Sequence, residues 1–336
     1  MLRTTVVGSW PVANAFKDRL HRYHAGQLTP GQAEALLCEM AATAIAQQQG
    51  CGLDEYTGGE TWTDCFILHF PRLLDGIAPT MNRAAWDGRG TYQVVGPLGA
   101  PRGLGIASAY RREKAIAPGI TKVNIPGPSE ITMMIEPKEA RTALWPDAIR
   151  LIRAEMEACI AAGVPEVQID LPHVAMSLVE GRWETEAAVN LISQLFGGFE
   201  GIRRSVHFCY GDFQAQTWTR NRSFHPLLPA IQRLDGIVDR MVLEFSLPEQ
   251  WKERALLAEI PASMEVAAGI VDVKSPTIES SEELDYKIEE LLRYMSAERL
   301  LICPSCGLGR RNVELAIGKV SRMVEAVGKR RGLPKQ

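Results

Sequence analysis

Short apolar segments alternate with helical patterns along the whole chain, and this alternation predicts an α/β fold, a (β/α)8 barrel of the TIM type. Eight segments have the β-branched or apolar character of strands: Thr4–Ser9, Leu53–Thr57, Thr121–Pro126, Glu166–Leu171, Ser205–Tyr210, Met241–Ser246, Met264–Ile270 and Leu300–Pro304. Their continuous apolar character is typical of parallel strands that are buried on both faces. Eight strand–helix repeats in 336 residues fit one barrel, with a two-domain doubly wound protein as the alternative.

The segments between these strands are rich in Ala, Leu, Glu and Arg, which predicts helices. The predicted helices are Pro30–Gln49, Pro137–Ala162, Thr185–Phe196, His225–Leu234, Pro248–Ala258, Ser281–Met295 and Asn312–Val327. Residues 62–119 are expected to be an insertion before the third barrel strand, with an extra strand at Thr91–Val95. No linker composition divides the chain, so residues 1–336 are expected to form a single catalytic domain.

Composition argues against several classes of protein. The chain is 46% hydrophobic with a formal net charge of −3 and no basic stripe, so no nucleic-acid partner is expected. Its apolar runs are short and broken by charges, which argues against a membrane span, and the first residues lack the apolar core of a signal peptide. Seven cysteines without the spacing of a disulfide framework favour a cytoplasmic protein with reduced thiols.

Polar side chains end most of the predicted strands, where a barrel of this kind has its active site. They are Gly8, Ser9, Asp54, Glu55, Glu60, Asn124, Asp170, His207, Cys209, Glu244, Asp272, Lys274, Cys303 and Cys306. For Asp54, Glu55 and Asp272 the alternative role is to cap helices or to form buried ion pairs. Five aromatic residues either line the same pocket or pack beneath it: Trp10, Tyr56, Trp62, Tyr210 and Phe213.

His207, Cys209 and the segment from Cys303 to Cys306 predict a zinc site. Residues two apart on a strand point to one face, so His207 and Cys209 are expected to face the same side. Imidazole and thiolate are preferred zinc ligands, and a further ligand from another strand end is typical of a catalytic site. A Cys-x-x-Cys pair also occurs in redox proteins, but there it usually opens a helix after an early strand, and here it lies in the eighth repeat.

Six motifs, in this order, resemble the catalytic C-terminal barrel of cobalamin-independent methionine synthase over nearly the whole chain. They are Val6-Val7-Gly8-Ser9-Trp10-Pro11, Gln168-Ile169-Asp170-Leu171-Pro172, Val206-His207-Phe208-Cys209-Tyr210, Leu243-Glu244-Phe245-Ser246, Gly269-Ile270-Val271-Asp272-Val273-Lys274-Ser275-Pro276 and Pro304-Ser305-Cys306-Gly307-Leu308. Each motif alone is weak, but their order and combination are specific.

The resemblance implies a catalytic zinc that is held by a His-x-Cys pair, a Glu and a Cys before Gly-Leu. By position these ligands are His207, Cys209, Glu244 and Cys306, whereas Cys303 falls where the family has no ligand. Zinc binding would convert the substrate thiol to a nucleophilic thiolate. Glu244 is expected to lengthen its bond or leave when the substrate sulfur arrives.

The resemblance also implies a homocysteine site beside the zinc. The substrate carboxylate is expected at the turn of Gly8 and Ser9, and the amino group at Glu60 and Asp170. Backbone N–H groups facing a carboxylate and acids facing an ammonium suit an amino-acid thiol.

The chain departs from the family pattern in three respects. The folate-dependent enzyme carries a second, duplicated barrel, to which nothing here corresponds. The acidic residue after Asp in the family's Asp-Glu-Pro motif is Leu171, and the His that assists proton transfer is Lys274. Lys274 and Asp272 are therefore the candidate catalytic residues. Proton donation by Lys274 needs a lowered pKa, and the alternative is that it pairs with Asp272 or with an anionic substrate.

These departures predict a zinc-dependent transfer of a methyl group to homocysteine from a donor other than polyglutamyl folate, such as a methylcorrinoid, with a corrinoid protein as possible partner. The alternative is a thiol alkyltransferase of the epoxyalkane:coenzyme M type, for which Arg310 and Arg311 could bind a sulfonate. A metal-free decarboxylase of the uroporphyrinogen type and a structural zinc protein are more distant alternatives. Soft ligands argue against the decarboxylase, and a carboxylate ligand argues against a closed structural site.

Overall fold

A mostly parallel sheet lies at the centre of this α/β protein. The computed structural model describes residues 1–63, 66–67, 69–83, 89–212 and 215–331. The described strands are β1 (Arg3–Thr4), β2 (Asp75–Arg83), β3 (Gly90–Gly99), β4 (Val123–Pro126), β5 (Ile135–Glu136), β6 (Glu166–Asp170), β7 (Arg203–Phe208), β8 (Arg240–Glu244), β9 (Glu265–Val271) and β10 (Leu300–Pro304). Seven of them form one parallel sheet in the order β1-β10-β9-β8-β7-β6-β4.

Helices connect these strands and cover the sheet. The described α-helices are α1 (Asn14–His24), α2 (Pro30–Gly50), α3 (Ile106–Ile116), α4 (Pro128–Thr132), α5 (Ala140–Ala143), α6 (Trp145–Ala161), α7 (Pro172–Val179), α8 (Thr185–Phe196), α9 (Leu228–Arg233), α10 (Pro248–Lys252), α11 (Ser281–Leu292) and α12 (Val313–Arg331). Three 3-10 helices span Phe70–Leu73, His225–Leu227 and Arg254–Glu259. Among these described helices, none is both long and apolar enough to cross a bilayer.

The predicted second strand, Leu53–Thr57, is not a regular strand, although it joins the two edges of the parallel sheet. Its Glu55 N–H donates to Thr4 O on β1 at 3.0 Å, and its Tyr56 O accepts from Thr121 N, just before β4, at 3.1 Å. Six of the other predicted strands are confirmed, with ends shifted by at most two residues, whereas the predicted strand Thr4–Ser9 overlaps the short strand β1 only at Thr4. The sequence Leu-Asp-Glu-Tyr-Thr places polar side chains in this segment, and they bind neighbouring elements rather than extend a ladder.

Most helix predictions are confirmed, and α8 has the predicted bounds. The predicted helix Pro137–Ala162 is instead divided into α5 and α6, with Pro146 at the start of the second helix, where its missing N–H costs nothing. Helices α1, α3, α4 and α7 were not predicted. In α7 the side chains from Val174 to Val179 are all buried, so no amphipathic period marks it.

Strands β2 and β3 lie outside the parallel sheet. Strands β2 and β3 pair antiparallel, and β5 joins β3 in parallel to make a three-stranded sheet. The predicted extra strand Thr91–Val95 lies within β3. The rest of the predicted insertion includes the 3-10 helix Phe70–Leu73 and helix α3.

A buried ion-pair network occupies the N-terminal end of the parallel strands, opposite the predicted site. Arg240 is fully buried on β8 and donates to Glu55 at 2.6 Å, to Glu166 at 2.8 Å and to Glu265 at 2.7 Å. Arg3 on β1 also donates to Glu55, at 2.7 Å. Glu55 therefore has the structural role that the sequence left open, because it ties the irregular segment to four strands of the sheet.

Candidate metal centre

Parallel strands bring the predicted ligands to one end of the sheet. His207 lies on β7, where its register partners are Asp170 on β6 and Val242 on β8. Cys209 follows the end of β7, Glu244 is the last residue of β8, and Cys306 follows β10. Because β7, β8 and β10 run in the same direction, their carboxyl ends lie at the same edge of the parallel sheet.

His207, Cys209 and Cys306 form a three-residue cluster, in which the possible ligand atoms all lie within 4.8 Å of one another. The two sulfur atoms are 3.9 Å apart. Two sulfurs at about 2.3 Å from a tetrahedral zinc would be separated by about 3.8 Å, so the spacing fits this metal. His207 Nδ1 lies 3.1 Å from Val242 O, while the buried Nε2 has no hydrogen-bond partner in the described structure. An imidazole held through Nδ1 leaves Nε2 as the ligand atom.

The pKa values of the two thiols, Cys209 and Cys306, are shifted in opposite directions. The hydrogen bond between them lowers the pKa of Cys306 well below its ordinary value and raises that of Cys209, whose burial adds to the rise. Burial lowers the pKa of His207, but the neighbouring Cys306 thiolate and Asp170 carboxylate outweigh it and raise the pKa. A lowered pKa favours the thiolate form of Cys306, which is the form that binds metals.

The structure does not place Glu244 in the cluster. Its Oε1 accepts a hydrogen bond from Lys274 Nζ at 2.7 Å, and its Oε2 accepts from Tyr210 N at 3.3 Å. The expectation that Lys274 pairs with Asp272 is also wrong, since Asp272 Oδ1 instead accepts from the Lys274 backbone N–H at 2.9 Å. Burial lowers the pKa of Lys274, but the Glu244 carboxylate outweighs it and the pKa is raised. Asp272 shapes the turn that carries Lys274.

Cys303 is separate from the cluster. It is fully buried in a small apolar group with Val7, Val242, Ala267 and Leu301. Burial raises its pKa to about 12, so its thiol stays neutral. This placement agrees with the expectation that Cys303 is a neighbour of the site and not a ligand.

A cavity of about 130 Å³ lies beside the cluster and contains all four predicted substrate-binding residues in its wall: Gly8, Ser9, Glu60 and Asp170. Asn124 donates to Asp170 Oδ2 at 3.2 Å and Gln168 donates to Asp170 Oδ1 at 2.7 Å. Lys122, buried behind them, donates to Gln168 at 2.7 Å. This chain of side chains fixes the direction in which the Asp170 carboxyl group points.

Glu60 and Asp170 are an acidic pair without a cation between them in the described structure. Burial, followed by the charge of Asp170, raises the pKa of Glu60 well above its ordinary value. Burial also raises the pKa of Asp170. Glu60 further adopts a left-handed backbone conformation, with φ of 54°, which a residue without β-branching tolerates at a cost. A ligand cation between these two acids would stabilise both of their ionised forms.

The turn at Gly8 and Ser9 is packed too closely for other residues. A Cβ atom on Gly8 would lie 2.3 Å from Glu60 Oε1 and 2.5 Å from Asn124 Nδ2. Ser9 O accepts from Leu308 N at 2.9 Å, which joins this turn to the loop that carries Cys306. The turn, the acids and the cluster are therefore one connected site.

Several residues of this wall had not been selected from the sequence. Asp212 and Trp218 line the cavity, and Arg311 donates to Asp212 at 2.6 Å. That pairing occupies one of the two arginines considered for a sulfonate. Asp212 follows Cys209 by three residues, and this closeness to a predicted ligand could have indicated it. No sequence pattern links Asp212 to Arg311. Trp10 and Tyr210 are buried away from the cavity wall, and Phe213 lies outside the described residues.

Comparisons with known proteins agree on one family. A family profile described as "Cobalamin-independent synthase, Catalytic domain" matches residues 2–329. A protein of Photobacterium profundum named 5-methyltetrahydropteroyltriglutamate–homocysteine methyltransferase is 26% identical over 98% of this chain and 43% of its own length. A methionine synthase of Saccharolobus islandicus is 24% identical over 97% of this chain and 93% of its own length. This chain therefore spans less than half of the first relative and nearly all of the second.

Solved structures show the same fold. A B12-independent methionine synthase from Shewanella sp. W3-18-1, solved with selenomethionine, matches with a TM-score of 0.80 and 20% identity over 98% of both chains. A protein from Listeria monocytogenes described as a vitamin-B12-independent methionine synthase matches with a TM-score of 0.69 and 17% identity, over 99% of this chain and 100% of its own. At these identities the likeness shows the fold.

The comparisons correct the expected methyl donor. The matched family is described as cobalamin-independent, and the Photobacterium relative is named for a methyltetrahydropteroyltriglutamate donor. A relative from Candida albicans, 26% identical over 96% of this chain and 41% of its own length, has the same name. The expectation of a methylcorrinoid donor with a corrinoid protein as partner, drawn from the missing second barrel and from Lys274, is therefore wrong.

Proposed function

Because the chain belongs to the family of cobalamin-independent synthase catalytic domains, we propose that it is a zinc-dependent methyltransferase that forms methionine from homocysteine and a methyltetrahydropteroyl donor. One observation carries the proposal. The wall of one cavity, sized for a small molecule, contains both the His/Cys/Cys cluster and two carboxyl groups, those of Glu60 and Asp170. Thiol and ammonium are the two groups that distinguish homocysteine from most metabolites.

The proposed fold is a (β/α)8 barrel that is closed by the segment Leu53–Thr57. Its backbone hydrogen bonds to β1 and to the residue before β4 support this closure. In such a barrel the active site lies at the carboxyl ends of the strands, which is where the cluster lies.

Three side chains would hold the metal: His207 through Nε2, and Cys209 and Cys306 through sulfur. When bound, zinc supplies a Lewis acid that lowers the pKa of a thiol in its fourth position. The cluster suits zinc because soft and borderline ligands select it over hard cations. Metal binding would require both cysteines to be thiolates and His207 to be a neutral imidazole.

The acidic pair and the first turn would orient the substrate. Glu60 and Asp170 would face the ammonium group, and the turn of Gly8 and Ser9 would face the carboxylate. With both ends of the amino acid fixed, the sulfur is directed towards the cluster, and this positioning reduces the entropic barrier to reaction. In the reaction the sulfur–methyl bond forms as the donor nitrogen–methyl bond breaks, and the donor nitrogen ends with a proton.

The test is a methyl-transfer assay on the purified protein. Zinc content is measured by mass spectrometry, and methionine is quantified after incubation with homocysteine and methyltetrahydropteroyl mono- or triglutamate. We expect about one zinc per chain and methionine formation that Cys306→Ala abolishes. Cys303→Ala is the matched control, because this cysteine is buried nearby but lies outside the cluster, and it should keep its zinc and its activity.

Two results would overturn the proposal. The first is full activity in Cys306→Ala, since the cluster would then have no part in the reaction. The second is the consumption of coenzyme M in preference to homocysteine, because a sulfonate gives Glu60 and Asp170 nothing to bind.

A further inference from the structure

Asn124 on β4 carries a buried acceptor atom that no neighbouring residue satisfies. The residue is 6% exposed and lies in the wall of the cavity that also contains Glu60 and Asp170. Its Nδ2 donates to Val7 O at 2.9 Å and to Asp170 Oδ2 at 3.2 Å, but its Oδ1 has no hydrogen-bond partner among the described residues. Because a buried acceptor without a donor is unfavourable, this atom needs a donor that the described part of the chain does not supply.

The two hydrogen bonds of Nδ2 fix the orientation of the amide. If the amide were rotated by half a turn, Oδ1 would face the Val7 carbonyl and the Asp170 carboxyl group, and acceptors would meet acceptors. Glu60 is also close, since a Cβ atom on Gly8 would lie 2.3 Å from Glu60 Oε1 and 2.5 Å from Asn124 Nδ2. Asn124 is therefore a neighbour of both carboxyl groups that would face the substrate ammonium.

We propose that Asn124 Oδ1 is the third acceptor for the ammonium group of the substrate, beside Glu60 and Asp170, and that it makes the cavity selective for amino-acid thiols. The inference rests on the proposed function and concerns how the substrate of that reaction is recognised. An ammonium group has three N–H bonds, and one acceptor from each of the three side chains would satisfy all of them.

A neutral amide suits this third place better than another acid does. Glu60 and Asp170 can already bring two negative charges to a single positive charge, in a buried place where like charges repel each other strongly. The amide adds an acceptor without adding a charge. Its N–H group also opposes the rise in the pKa of Asp170 that burial causes, and so favours the ionised form that an ammonium group needs.

A water molecule is the alternative donor for this atom. Asn124 also lines a smaller cavity of about 20 Å³, together with Glu60, Glu113 and Lys122, and this volume is enough for one water. If that water satisfied Oδ1, the substrate would gain nothing from Asn124. The two donors therefore predict different effects of substitution on ligand selectivity.

Binding of two thiols to the zinc-loaded protein, measured by isothermal titration calorimetry, tests the inference. One thiol is homocysteine, and the other is 4-mercaptobutanoate, which has the same chain, thiol and carboxylate but no amino group. The ratio of their dissociation constants measures recognition of the ammonium group alone. Asn124→Leu removes the acceptor at nearly constant size and should reduce the preference for homocysteine by about 10- to 100-fold.

Asn124→Asp is the matched variant, because it keeps an acceptor at this place but has no N–H group for Val7 O or Asp170. It should keep the preference for homocysteine to within about fivefold, which separates the loss of the acceptor from the loss of the amide's own hydrogen bonds. The melting temperature of each variant reports whether it is folded, and Asn124→Ala takes the place of Asn124→Leu if the latter does not fold.

The inference is overturned if Asn124→Leu binds both thiols as the unmodified protein does, or weakens both equally, since Oδ1 would then serve a water or the packing alone. It is also overturned if Asn124→Asp loses the preference as fully as Asn124→Leu does. Failure of the proposed reaction looks different: the ligand preferences change as expected, but no methionine forms. If the unmodified protein does not prefer homocysteine to 4-mercaptobutanoate, the ammonium site itself is wrong, and this inference with it.

Discussion

Glu113 makes the stability of this protein dependent on pH in a predictable direction. This carboxyl group on α3 is packed against Gly58, close to the turn that leads to Glu60, and a Cβ atom on Gly58 would lie 1.9 Å from the carboxyl carbon. Burial raises the pKa of Glu113 from 4.5 to about 7. Because the folded state holds the proton more tightly, Glu113 favours folding below the unfolded pKa, and this contribution is lost as the pH rises towards 7.

The size of the effect follows from the shift. Each pKa unit corresponds to about 1.4 kcal/mol, so the free energy of unfolding should fall by about 2.5 kcal/mol between roughly pH 5 and pH 8 because of this one group. A chain of this length has an unfolding entropy near 0.7 kcal/mol/K, so the melting temperature should change by about 3–4 °C. Other buried acids also contribute, but the difference between the unmodified protein and a Glu113→Gln variant isolates Glu113.

The assay is thermal and urea unfolding of both proteins across this pH range. Glu113→Gln should gain stability relative to the unmodified protein as the pH rises. Glu34→Gln is the control, because Glu34 is exposed and its hydrogen bond with Arg112 lowers its pKa, so its replacement should not reproduce the gain in stability at high pH. A stability difference between Glu113→Gln and the unmodified protein that stays constant from pH 5 to pH 8 would refute the reasoning.

Three other substitutions have defined outcomes. Asp170→Asn should raise the KM for homocysteine by about 10- to 100-fold in steady-state assays, because a charged hydrogen bond to the ammonium group is lost. The KM for a thiol without an amino group should not change. Gly307→Ala should lower the melting temperature and the activity, because its Cβ would lie 2.2 Å from Ser9 Oγ, whereas Gly31→Ala, on α2 with open space around it, should lower neither. Arg240→Met should cost about 3–5 kcal/mol in urea unfolding, since it removes the buried cation that Glu55, Glu166 and Glu265 share; a loss below about 1 kcal/mol would contradict the role given to the network.

The positions of the metal cluster could be predicted because they depend on strand direction. His207 and Cys209 are two residues apart at the end of one strand, and Cys306 follows another strand that runs parallel to it. Any fold that places these strands in one parallel sheet brings their ends together. The acids Glu60 and Asp170 were placed in the same wall by resemblance, and the cavity contains both.

The contacts that the sequence did not show involve side chains whose partners are distant in sequence. Glu244 has the right position to be a ligand, but its carboxylate is held by Lys274, 30 residues away. Whether a carboxylate binds a neighbouring ammonium group or a neighbouring metal ion depends on its side-chain rotamer. The sequence pattern does not specify that rotamer. The backbone of Leu53–Thr57 shows the same limit. Its place between two strands was predicted, but the segment forms no regular ladder, and the Glu55 side chain pairs with the buried Arg240.

The irregular segment Leu53–Thr57 is held to its neighbours by fewer backbone hydrogen bonds than the strands of the parallel sheet are. Strands β6 to β10 are joined by continuous ladders, whereas this segment is joined to each neighbour by isolated backbone bonds. Local opening requires fewer broken bonds here, so the amides of Glu55 and Thr121 should exchange with deuterated solvent faster than those inside β7 and β8. The segment leads directly to Glu60, so such an opening would also loosen the part of the cavity wall that Glu60 forms.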